Sequence, residues 1–127
     1  MRTGVAMRLQ QAAERIGAMI VTPGRPEAQV DRIYAGDRIS DLLDCANDRT
    51  LLITNLAGTQ LLRVAELMDV PGICLTGGHA PGPEMVRVAE GNGTLLMVSA
   101  AGMFETCGRL YQCMSGDKPS AGGRAGL

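Results

Sequence analysis

The sequence predicts an α/β domain, a three-layer sandwich around a mainly parallel sheet. Three observations carry this expectation. First, the apolar runs Leu51-Leu52-Ile53, Ile73-Cys74-Leu75 and Leu95-Leu96-Met97-Val98 do not alternate with polar residues, which is what strands covered on both faces require. Second, each run is followed by apolar residues at helical spacing: Leu61, Val64, Ala65 and Met68, then Met85, Val88 and Ala89, then Met103, Cys107, Leu110 and Met114. Strand–helix alternation at this pitch is the pattern of crossovers between parallel strands. Third, the only aromatic residues are Tyr34, Phe104 and Tyr111, so the core must be built of Leu, Ile, Val, Met and Ala, which suits thin layers laid on a sheet.

Taken in order, residues 1–6 carry little pattern. Leu9, Ala12, Ala13 and Ile16 then mark one face of a short helix ending near Gly17. Residues 18–21 fit a short strand, and Thr22-Pro23-Gly24-Arg25-Pro26 is a turn, since two prolines in four residues forbid regular pairing. Residues 30–35 alternate as a strand with one wet face. Gly36-Asp37 turns the chain into a helix marked by Ile39, Leu42, Leu43 and Ala46, with Asp37 or Ser40 placed to cap it.

The three apolar runs begin at Leu51, Ile73 and Leu95, a spacing of 22 residues, while Arg63-Val64-Ala65-Glu66 recurs as Arg87-Val88-Ala89-Glu90 at a spacing of 24. The second strand–helix unit therefore holds two additional residues, in or near the loop over residues 76–83. That loop, Thr76-Gly77-Gly78-His79-Ala80-Pro81-Gly82-Pro83, brings the chain to a helix with Pro83 suited to its first position and Glu84 to its dipole. The expected organisation is one domain over residues 7–114, with flexible termini over residues 1–6 and 115–127. The last segment is rich in Gly, Ser, Ala, Pro and charge and has no apolar period.

Composition excludes several classes of function. In 127 residues there are 12 basic and 13 acidic side chains, which leaves no nucleic-acid or anionic-membrane stripe. Three aromatics are too few for a base-stacking platform. No apolar run reaches about 18 residues, and the start shows no signal-peptide pattern. Cys45, Cys74, Cys107 and Cys113 include no C-x-x-C pair and no zinc-knuckle spacing, so they read as reduced thiols of a cytoplasmic protein with no metal or cofactor.

In open α/β sheets, ligands enter beyond the carboxyl ends of the strands. That edge gathers Asp37, Thr54, Asn55, Thr76, Gly77, Gly78, His79 and Ser99: hydroxyls, an amide, one imidazole and backbone amides at helix N-termini, a set able to hold phosphate or carboxylate. The same residue types also serve as plain caps and turn formers. The loop is neither a Walker P-loop nor G-x-G-x-x-G, which argues against nucleotide hydrolysis. His79 would need an orienting carboxylate, Asp37 or Glu84, to act as a base, and no catalytic residue is assigned. Eight methionines in a thin domain favour self-association through an uncovered helix face.

Tyr34-Ala35-Gly36-Asp37 leading into Ser40-Asp41-Leu42-Leu43, then Leu52-Ile53-Thr54, Leu75-Thr76-Gly77-Gly78, and Phe104-Glu105 with Gly108-Arg109-Leu110-Tyr111, resembles the DRTGG domain family. The match runs in order over residues 7–114. The name-giving Asp-Arg-Thr-Gly-Gly stands here as Cys74-Leu75-Thr76-Gly77-Gly78, so the acidic and basic pair is absent. The resemblance implies a fold similar to the N-terminal domain of HPr kinase/phosphorylase. It also implies a regulatory or dimer-forming role like that of related domains beside CBS domains in pyrophosphatases or within phosphotransacetylases. The expected function is thus a non-catalytic module, a homodimer, that binds a small anionic, nucleotide- or phosphate-like ligand or a partner protein. Short stand-alone members resemble proteins encoded near iron-only hydrogenase components, which makes an iron–sulfur accessory role the alternative.

Overall fold

The computed structural model describes residues 2–114. Its elements run β1 (Arg2–Arg8), α1 (Leu9–Ile16), β2 (Met19–Thr22), β3 (Gln29–Ala35), α2 (Ile39–Cys45), β4 (Thr50–Thr54), α3 (Thr59–Leu67), β5 (Gly72–Leu75), α4 (Pro83–Asn92), β6 (Leu95–Val98) and α5 (Met103–Met114). They form one six-stranded sheet of order β1-β3-β4-β5-β6-β2. The four central strands are parallel, and β1 and β2 close the two edges antiparallel to β3 and β6.

The uninterrupted apolar runs are explained by burial on both faces. In β4, Leu51 and Ile53 face one layer while Leu52 faces the other. In β5, Cys74 faces the first layer and Ile73 and Leu75 the second. In β6, Leu95 and Met97 divide from Leu96 and Val98 in the same way. The first layer is α1 and α5, through Leu9, Ala12, Ala13, Ile16, Leu110 and Met114. The second is α2, α3 and α4, through Leu42, Leu61, Leu62, Ala65, Met85 and Ala89. This is the three-layer α/β sandwich that the periodicity predicts.

Two irregularities adjust the sheet. The Asp31 and Arg32 amides both donate to the Arg49 carbonyl, a bulge that shifts the side-chain phase. Val30 and Ile33, three apart, consequently face the same layer. At the far edge the register between β2 and β6 also shifts. There the buried Thr22 hydroxyl donates to the Thr94 carbonyl and accepts the Leu96 amide, so the offset leaves neither group unpaired.

One expectation needs correction. Sequence pattern predicts a flexible start over residues 1–6, yet β1 begins at Arg2 and pairs with β3. An edge strand is held by one neighbour only, and Arg2-Thr3-Gly4-Val5-Ala6 lacks the alternation by which such a strand is recognised. The expected flexible tail over residues 115–127 lies outside the described residues.

Candidate functional site

The carboxyl ends of β3, β4 and β5 are joined by a short polar chain. Asp37 Oδ1 accepts the Thr54 hydroxyl at 2.9 Å and the Asn55 amide at 2.8 Å, while Asp37 Oδ2 accepts Asn55 Nδ2 at 3.3 Å. The Thr76 hydroxyl donates to Asn55 Oδ1, and the Thr54 hydroxyl also accepts the Leu56 amide. Asp37 is thus not the cap of α2. That helix has no side-chain cap, and Asp37 turns toward the end of β4, where Thr54 and Asn55 supply three donors. The Asn55 backbone amide, helped by the Thr54 hydroxyl and the Asn55 side chain, holds the Asp37 carboxyl below its ordinary range against the opposing effect of partial burial.

A carboxylate with a depressed pKa stabilises the fold above its unfolded-state pKa and loses that contribution as the pH falls through the folded value. Asp37→Ala is therefore expected to cost about 1 kcal/mol at neutral pH, below the usual range for charge-assisted bonds because Asp37 is exposed and screened by solvent. Urea titrations at falling pH check this. The gap between wild type and variant should close in acid, and a gap that persists unchanged would contradict the account.

Next along the rim, Gly77 and Gly78 adopt φ of 84° and 75°, values that a side chain makes costly. The turn aims their amides sideways at the neighbouring loop: Gly77 donates to the Ala101 carbonyl and Gly78 to the Ser99 carbonyl, both at 2.9 Å. The amides expected to be bare are thus committed to closing the crevice between β5 and β6. The chain leaves β5 for α4 in one layer and leaves β6 for α5 in the other, so this crevice is where an α/β sheet would ordinarily receive a ligand. Ser99 is 1 % exposed, and its hydroxyl pairs with that of Thr106 at 2.8 Å. Thr54, Thr76 and Ser99 build the rim from within.

The open space lies one loop away. A groove of about 430 Å³ is lined by Ala57, Gly58 and Thr59, where the β4–α3 loop enters α3, and by Gly82, Pro83, Glu84 and Met85, where the β5–α4 loop enters α4. Helices α3 and α4 both start at this groove, on Gly58 and Gly82, and neither has a side-chain cap. Their first-turn amides precede the helical ladder, and α4 begins its own with the Val86 amide donating to the Gly82 carbonyl. Two positive dipole ends therefore flank one concavity. Reading residues one by one misses it, because Gly58 is silent as a type. The internal echo holds the signal: Gly58 and Gly82 are 24 apart, the same offset as the repeated Arg-Val-Ala-Glu. The additional length does fall in the loop between β5 and α4, whose seven residues 76–82 exceed by three the four residues 55–58 between β4 and α3.

His79 is exposed on the same loop, and Asp37 bonds to Thr54 and Asn55 instead of to His79. Of the thiols, Cys45 is exposed, Cys107 and Cys113 are half-buried, and Cys74 is buried. Burial, with the neighbouring Cys107, pushes the Cys74 thiol up to about 12, and burial raises Cys107 as well. Both effects disfavour the thiolate that a metal requires. Among the described residues no three His, Cys, Asp or Glu side chains are grouped to hold a metal ion. No helix among them is long and apolar enough to cross a membrane.

A second groove, of about 350 Å³, lies at the opposite ends of the strands between Arg25, Gln29, Asp48, Arg49 and Asp69. Its charges are balanced, and Arg49 is already paired with Asp31 at 2.9 Å.

The fold is similar to the crystal structure of the CBS and DRTGG domains of the regulatory region of a Clostridium perfringens pyrophosphatase, complexed with its activator diadenosine tetraphosphate. The TM-score is 0.72 at 13% sequence identity, over 91% of this chain and 51% of that one. The chain spans about half the length of that structure, and identity this low shows the fold alone. The similar structure is that of a regulatory region. No family model matches the chain, and no curated protein sequence does.

Proposed function

We propose that this chain is a non-catalytic, cytoplasmic regulatory module of the DRTGG family, a homodimer, which binds a small phosphate-bearing anion, nucleotide-like in kind. The groove between the N-termini of α3 and α4 is the proposed site. One observation carries the reading: two helices without side-chain caps open on glycines at opposite walls of a single concavity. Backbone amides at a helix N-terminus point along the dipole and bind anions without any basic side chain. Gly58 and Gly82 keep the approach clear, since a Cβ at either would meet nothing within 4 Å. A volume near 430 Å³ falls in the range of small-ligand sites. The nucleotide activator in the similar pyrophosphatase region supports the ligand class.

The Asp37–Asn55–Thr76 chain supplies rigidity in this reading, fixing the loops that carry both helix starts. Glu84, exposed in the first turn of α4 at the edge of the groove, complements the helix dipole.

A thermal-shift screen of nucleotides, dinucleoside polyphosphates and phosphorylated metabolites tests the proposal. A ligand at about 100 times its dissociation constant adds about 2.7 kcal/mol to stability. A flat screen across these anions would refute the anion-binding reading.

A further inference from the structure

We infer that the exposed face of α5 is the homodimer contact, packed antiparallel against α5 of a second copy about a two-fold axis near Gly108. This rests on the dimeric part of the reading above and names its surface.

Phe104 is 93% exposed and Tyr111 59%. They stand at i and i+7 of α5 with Gly108 between them at i+4, so all three share one helix face. The opposite face of the same helix, Thr106, Leu110 and Met114, is buried against the sheet and α1. Two of the chain's three aromatics therefore stand side by side in solvent. Among the described residues the other large exposed apolar side chains, Met19, Leu43 and Leu67, lie singly on β2, α2 and α3 and form no comparable stripe.

Gly108 makes the stripe more than an accident of exposure. Glycine weakens a helix interior relative to alanine, and a Cβ here would meet nothing within 4 Å. Nothing among the described residues requires the missing side chain. A second helix crossing at Gly108 does, because a small residue lets two backbones approach closely.

The occupant follows from self-complementarity. An isologous contact brings one patch against itself with direction reversed. About an axis near Gly108, Phe104 then meets Tyr111 of the second copy, an aromatic pair of favourable kind. Glu105 and Arg109 lie together along one side of the stripe with opposite charge; they are bonded to each other within the helix, and Arg109 also donates to the Ile16 carbonyl. Reversal sets Glu105 of one copy beside Arg109 of the other, so the match is attractive at both ends. Two rings bury at most about 300–500 Å² per copy, roughly half of the ~800 Å² per partner typical of a specific interface. Neighbouring α5 side chains supply the remainder, and a moderate, concentration-dependent dimer is the result.

Sedimentation velocity on the full chain up to about 100 µM, for wild type, Phe104→Glu and Gly108→Gln, tests this. The wild type should dimerise, and each variant should weaken association by at least about tenfold. The monomers should keep the wild-type circular-dichroism spectrum and melt no earlier. A wild type that stays monomeric at the highest concentration overturns both the dimer and its surface. A dimer equally tight in Phe104→Glu and Gly108→Gln overturns the α5 surface alone. Nucleotide protection measured on the Phe104→Glu chain reports on the groove separately, because Phe104 does not line it.

Discussion

A Gly82→Glu chain is expected to fold normally and to bind nucleotides at least about tenfold more weakly than wild type. The residue is the N-cap of α4 at φ −70° and ψ 164°, extended backbone that any residue adopts, and a Cβ there points into open space. The added carboxylate falls at the mouth of the groove beside Glu84. Two unit charges about 5 Å apart interact by roughly 3 kcal/mol at an effective dielectric of 20, and 1.4 kcal/mol is already tenfold in affinity. Calorimetric titration of wild type and variant reads the difference, with Arg25→Glu at the opposite groove as the control. Should Arg25→Glu lose binding while Gly82→Glu keeps it, the ligand sits at the other end of the sheet and the proposed site is wrong.

The second large effect concerns stability. Gly24→Ala is expected to lower the free energy of unfolding by about 3 kcal/mol, combining backbone strain with overpacking. Gly24 has φ 46°, and its loop lies against the start of β6. A Cβ would come within 2.8 Å of the Thr94 carbonyl carbon and 2.9 Å of the Gly93 oxygen, and closer still to the Leu95 nitrogen. All three are main-chain atoms where α4 ends and β6 begins, and β6 is paired on both sides, so they cannot yield as a flexible side chain does. Gly17→Ala is the matched control. It also has positive φ, at 70°, but its Cβ meets nothing within 4 Å, which leaves a conformational cost of about 1–2 kcal/mol. Urea unfolding of the two variants isolates the clash, and equal losses would show that the loop moves aside.

Most of the architecture is legible in the sequence because the interior strands are buried on both faces. Leu51, Leu52 and Ile53 all have to be apolar, and a run of that kind has few other readings once helical spacing follows it. The edges are not legible in this way. Nothing in the sequence around Met19 or Arg2 says that β2 pairs antiparallel with β6 or β1 with β3, since edge pairing is fixed by the layers already assembled. At the site, residue type told which side chains line the carboxyl rim, and Asp37, Thr54, Asn55 and Thr76 do meet there. Residue type is silent on which backbone amides are spent. Gly77 and Gly78 have the composition of an anion-binding loop, yet their amides bond to Ala101 and Ser99. The turn that frees a glycine amide from its own strand also aims it at the adjacent loop.

In the proposed site the uncapped amides at the starts of α3 and α4 receive the ligand. Amide chemical shifts of the nitrogen-15-labelled chain, followed during titration with diadenosine tetraphosphate or ATP, test it most directly. The predicted result is a saturable set of shifts centred on Gly58, Thr59, Gly82, Glu84 and Met85, with Arg25 and Arg49 unmoved. Shifts centred on Arg25 and Arg49, or no saturable shift at all, would contradict it.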